Sequence, residues 1–144
     1  MRSARNQARF GDIVAAAGLG STLCGFASSL LSFLALIVLD GGPYGFGLLV
    51  IFVPLLGALL GFLIAWLPAI AIGWVVFRML GAGIWQSAVV GYLCWSALLL
   101  TLSGGRWPDF TSFELTTTIA VLASAPIMGV LAWKRTTSAT AAHG

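Results

Sequence analysis

Charge is what this sequence has least of: Asp, Glu, Lys and Arg together make up 8% of 144 residues, against about a quarter in an ordinary soluble domain. Hydrophobic residues make up 60%, so no water-facing surface can be assembled from the chain and a soluble globular class is excluded. The one histidine, His143, is next to the last residue, which gives imidazole chemistry no framework to act from. Cys24 and Cys94 each lie inside an apolar run, away from any CxxC or Cys/His cluster. They read as small buried residues, not as disulfide partners or metal ligands. No P-loop, G-x-S-x-G or H-E-x-x-H pattern occurs, and the glycine pairs Gly18/Gly20 and Gly81/Gly83 follow no strand-like stretch. Finally, no ionisable residue occupies the middle of a long apolar run. Proton relays, ion-coupled carriers and intramembrane hydrolases place such groups there despite a cost of about 2.5–3.5 kcal/mol each. The expectation is therefore a non-enzyme with no cofactor and no metal.

What the sequence does have is four apolar runs. From residue 46 to residue 77 no charge interrupts the chain, and Arg78 closes the run. The expected fold is all-α: a polytopic membrane protein of four transmembrane helices, one domain over residues 1–135, with spans at about 17–39, 48–77, 84–102 and 114–133. The first run resembles a signal sequence through Arg2, Arg5 and Arg9, yet its apolar part is longer than a signal h-region and no A-x-A pattern follows. It is expected to remain as a membrane helix. Asp40, Gly41, Gly42, Pro43 and Tyr44 then turn the chain, and so short a connection makes the first two helices antiparallel neighbours. Pro54 and Pro68 are the irregular points of the second run: either the span starts at Pro54 or it kinks at Pro68, and the aliphatic residues before Pro54 favour the kink. Thr111 and Glu114 have the spacing of a capping box for the fourth helix. Residues 136–144, small and polar, are expected to be a disordered tail.

Small side chains recur every fourth residue, and in lipid such rows are how helices approach one another. Gly57, Gly61, Ala65, Ala69 and Gly73 form one row; Gly20, Cys24, Ser28 and Ser32 form another, with Ser21, Gly25 and Ser29 beside it. The row of the first helix is expected to meet that of the second. Gly83, Ser87 and Gly91 continue the pattern in the third helix, Ala125 and Gly129 in the fourth. Gln86 and Ser96 are candidates for a polar lining.

The basic residues sit at the ends of the runs and form no stripe, which argues for a bilayer and against nucleic acid as partner. Four spans put Arg2, Arg5, Arg9, Arg78, Lys134 and Arg135 on one side and Arg106 alone on the other, so both termini are expected in the cytoplasm. With a composition rich in Ala, Gly and Trp, the chain reads as a bacterial inner-membrane protein. Two functions compete. One is a helix-packing interaction protein, such as an accessory subunit, assembly factor or immunity-type protein, bound to another membrane protein or to itself. The other is an oligomeric permease or pore for a small neutral solute, lined by Ser28, Ser32, Gln86, Ser87 and Ser96. The charge bias yields a direct test of topology. Single cysteines at Gly42 and Gly104 should react with an impermeant thiol reagent added outside; reaction at Gly42 only from inside would contradict the four-span arrangement.

Overall fold

A computed structural model describes residues 10–40, 47–102, 104 and 112–142. Four helices account for nearly all of them: α1 (Phe10–Asp40), α2 (Leu49–Leu80), α3 (Ile84–Leu102) and α4 (Ser112–Ala142). All four are long and apolar enough to cross a membrane, as the sequence predicts. Arg2, Arg5 and Arg9, the turn after Asp40, Arg106, Asp109, Thr111 of the capping pair and His143 lie outside the described residues.

The ends differ from expectation in two places, at the start of α1 and the end of α4, while α2 keeps to its expected start. α1 starts at Phe10, well before residue 17. α2 starts at Leu49 and runs unbroken through Pro54 and Pro68, so the span does not begin at Pro54; the amides of Ile51 and Phe52 both donate to the Leu48 carbonyl and set the first turn. α4 continues past Lys134 and Arg135 to Ala142, through residues expected to be disordered. There Thr136 Oγ1 donates to the Ala132 carbonyl and Thr137 Oγ1 to the Trp133 carbonyl, each at 2.9 Å. These bonds satisfy the hydroxyls inside the helix, and the alanines that follow have the highest helix propensity, so the helix continues where composition alone suggests a tail.

At about 1.5 Å per residue, α1, α2 and α4 are each some 46–48 Å long and α3 only about 28 Å. The helices form a ring in chain order, α1 beside α2, α2 beside α3, α3 beside α4, with α4 returning to α1. At the end where α1 begins and α4 finishes, Ile13, Val76, Phe77 and Trp133 make a buried cluster, with the Phe77 and Trp133 rings 4.7 Å apart. Near mid-bundle the core is thin and small: Ala65, Ala69 and Cys94. Gly81 ends α2 with φ +83°, donating its amide to the Phe77 carbonyl at 3.0 Å. Only glycine adopts that angle without strain, which lets the chain reverse within three residues.

The first two helices are the most intimate pair. A methyl group placed on Gly61 would sit 2.6 Å from the Ser21 carbonyl oxygen and 2.8 Å from Gly25 Cα, and one on Gly57 would sit 2.7 Å from the Gly25 carbonyl oxygen. Backbone therefore rests on backbone. Trp66 adds a polar tie, its indole N–H donating to the Val14 carbonyl at 3.3 Å while Gly18 leaves room for the ring. Because the atoms in the way belong to the main chain, Gly61→Ala should cost about 1–3 kcal/mol by overpacking. Gly11→Ala, in a helical position with nothing within 4 Å, should be neutral or stabilising by about 0.5–1 kcal/mol. Detergent-titration unfolding of both variants checks this, and equal effects would mean that the glycine contact bears no strain.

Candidate functional site

α1 lies between two neighbours, and successive residues on a helix point about 100° apart. Two adjacent rows of small residues therefore serve two different partners. The row Ser21, Gly25 and Ser29 faces α2: Ser29 and Gly25 pack on Gly57, and Ser21 and Gly25 on Gly61. The row expected there, beginning with Gly20 and Cys24, instead faces α4. A methyl on Gly20 would lie 3.4 Å from Ala132 Cβ, and Cys24 Sγ is 3.5 Å from Ser124 Oγ. Since Ser124 Oγ already donates to the Val121 carbonyl at 3.2 Å, the thiol is the donor to Ser124. The corner between α1 and α4 is closed by that contact.

The α3–α4 corner repeats the glycine device. Gly129 packs against the Ser87 carbonyl oxygen, 2.6 Å from where its methyl would be, and Gly91 against the Ala125 carbonyl; Ala125 is 1% exposed. Ser87 Oγ donates to the Ile84 carbonyl at 2.6 Å. The α2–α3 seam is different in kind. Cys94 Sγ donates to the Ala65 carbonyl at 3.6 Å, with Ala69 beside them, and a methyl on Gly73 would meet Ile13 Cγ2 at 3.3 Å and Val90 Cγ1 at 3.7 Å. Gly83 belongs to the turn, where Gln86 folds over it and donates through Nε2 to the Leu80 carbonyl at 3.5 Å.

Two cavities lie between the helices. The first, about 50 Å³, is in the half of the bundle where α1 begins and α4 finishes, walled by Ile13, Gly20, Gly73, Ser87, Gly91 and Gly129 among others. The second is a crevice of about 250 Å³ toward the opposite end, walled by Ser28, Ser29, Ser32, Phe33 and Leu36 of α1, Val53 of α2 and Thr117 of α4. No carboxylate, amine, guanidinium or imidazole of the described residues lines either one. The hydroxyls expected to share a path are thus divided: Ser28 and Ser32 at the crevice, Ser87 at the small cavity. Gln86 and Ser96 line neither.

Most hydroxyls inside the helices bond to their own backbone, Thr22 to Gly18, Ser28 to Gly25 and Thr101 to Ala97. Ser32, Ser96 and Thr117 are the buried hydroxyls that find no partner among the described residues. Two of these three stand at the crevice. Sequence spacing did not single out Thr117, because nothing local connects it to Ser32.

No protein-family model, curated protein or solved structure matches the chain. The reading of its function therefore rests on the geometry above. One part of that geometry is checked simply. Cys24 and Cys94 are free and each 1% exposed, so a maleimide should leave the protein unmodified in mild detergent and add two labels after denaturation. Rapid labelling in the native state, read by mass, would contradict the packing of both corners that the thiols close.

Proposed function

We propose that this chain is a multi-pass protein of a bacterial inner membrane, with both termini cytoplasmic, that acts by helix–helix interaction as an accessory subunit, assembly factor or immunity-type protein. The observation that carries this is the make-up of its interior, where small side chains and backbone fill the space and no ionic group of the described residues faces a cavity. What the fold offers is packing surface. α2 turns Leu55, Leu56, Leu59, Leu63 and Leu67 outward, a face that lipid or another membrane helix covers equally well. The exposed Arg78, Lys134 and Arg135 flank Phe77 and Trp133, which meet at one end of the bundle; Lys and Arg concentrated there support a cytoplasmic assignment for that end.

A second reading, an oligomeric permease or pore for a small neutral solute, is favoured by the hydroxyls at the crevice. Against it, a path through one copy must pass the level of Cys24, Ser124 and Ala65, which are buried and in contact with their neighbours. Purification in mild detergent followed by mass determination of the intact complex separates the two. A different protein bound at fixed stoichiometry supports the interaction reading, and a homo-oligomer with a wet central cavity supports the pore.

The acidic residues give a further prediction. Neutralising Asp40, Asp109 and Glu114 together, to Asn, Asn and Gln, should leave membrane abundance and partner co-purification intact, apart from a loss of about 0.3–1 kcal/mol where Glu114 favours the start of α4. Normal abundance and assembly with abolished biological activity would point instead to a carrier or an enzyme that uses those groups.

A further inference from the structure

We propose that the crevice between α1, α2 and α4 is a binding site for a small neutral amphiphile: an apolar body against Phe33, Leu36 and Val53, and one carbonyl or hydroxyl group held by Ser32 and Thr117. This goes beyond the interaction reading and does not rest on it. Four observations converge on the site. Its volume, about 250 Å³, admits one small molecule or one segment of a lipid. Its walls carry no charged group of the described residues, so an ion would lose its hydration without a counter-charge, and the ligand must be neutral.

The third observation is chemical. Ser32 Oγ and Thr117 Oγ1 are without a hydrogen-bond partner, whereas neighbouring hydroxyls such as Ser28, Thr22 and Ser124 are committed to their own helices. A buried hydroxyl left unpaired is unfavourable; both oxygens are enclosed, and a change of χ1 rotamer is what brings either to a ligand group in the crevice. The two also share a level, because Cys24 beside Ser124 sets an antiparallel register in which eight residues along α1 correspond to seven back along α4.

The fourth is position. Counting residue against residue from the contact of Cys94 with Ala65, the last residue of α3, Leu102, falls level with Gly57 of α2. α2 therefore runs on about 12 Å beyond α3, and Val53 lies in that overhang. Ser32, eight residues before Asp40, lies about 12 Å from the end of α1, and Thr117, five residues after Ser112, about 8 Å from the start of α4, so both stand in the last turns of the bundle at that end. The ends of spanning helices are the parts nearest the lipid ester groups. The same chemistry is available from the ester region of a bilayer lipid or from a free neutral solute such as a medium-chain alcohol.

The test uses the full chain in phosphatidylethanolamine vesicles containing a photoactivatable diacylglycerol, with cross-links mapped by peptide mass, and 1-octanol as the free competitor. Cross-links concentrated on residues 28–36 and at Thr117, and reduced about tenfold in Ser32→Ala/Thr117→Val, support the site with lipid as its occupant; about tenfold is the factor for a lost hydrogen bond of 1.4 kcal/mol. Absent diacylglycerol labelling there, but saturable binding of radiolabelled 1-octanol lost in the same variant, supports the site with a free solute as occupant. Val53→Phe, which keeps both hydroxyls and fills the space, should abolish either signal while leaving membrane abundance unchanged. Labelling spread evenly over outward residues such as Leu59 and Leu63 and indifferent to all three substitutions, with no saturable octanol binding, would overturn the proposal.

Discussion

In a bilayer, burying apolar side chains gives helices little reason to associate, because lipid tails are as apolar as leucine. What remains is close contact between surfaces that fit, and here the closest contact is main chain against main chain, Gly57 and Gly61 of α2 on Ser21 and Gly25 of α1. Everything else in the bundle is arranged around that approach. Bringing two helix axes so near fixes the direction of α1, and the next row of α1, with Gly20 and Cys24, then turns to the place where α4 packs. α4 in turn holds α3 through Gly91 and Gly129. The ring closes by small residues at three corners, and by a thiol and alanines at the fourth.

The same constraint governs the polar side chains. Serine and threonine are small enough for these contacts but bring hydroxyls into lipid, and most are neutralised by bonding to a carbonyl three or four residues back. A hydroxyl that does not do so is free for another partner. That two such hydroxyls belong to the walls of one cavity, one on α1 and one on α4, is what distinguishes the crevice from the many apolar indentations of a membrane bundle.

Much of this was legible in the residues. Four apolar runs gave four helices because length and lack of charge suffice for that, and the every-fourth spacing of Gly57 to Gly73 marked a face of α2 that is largely buried. Which row of α1 meets it was not legible: Gly20, Cys24 and Ser28 are as small as Ser21, Gly25 and Ser29, and periodicity fixes a face but not the bearing of a neighbour. The continuation of α4 was misjudged because small polar residues carry a weak local signal, and the alanines among them favour the helix. The pairing of Ser32 with Thr117 depends on register between distant helices, and no local pattern encodes it.

The unequal corners have a consequence for how the protein is made. As the chain emerges into the membrane, α1 and α2 can lock together as soon as both are inserted, since each supplies the glycines the other needs. α3 has no such partner behind it; its closest contacts, at Ser87 and Gly91, are with α4. At roughly 5–20 residues per second, the stretch from the end of α3 to the end of α4 takes about 2–8 s to synthesise. During those seconds α3 stands half-attached, with its glycine face turned to lipid or to whatever helper sits beside the site of insertion.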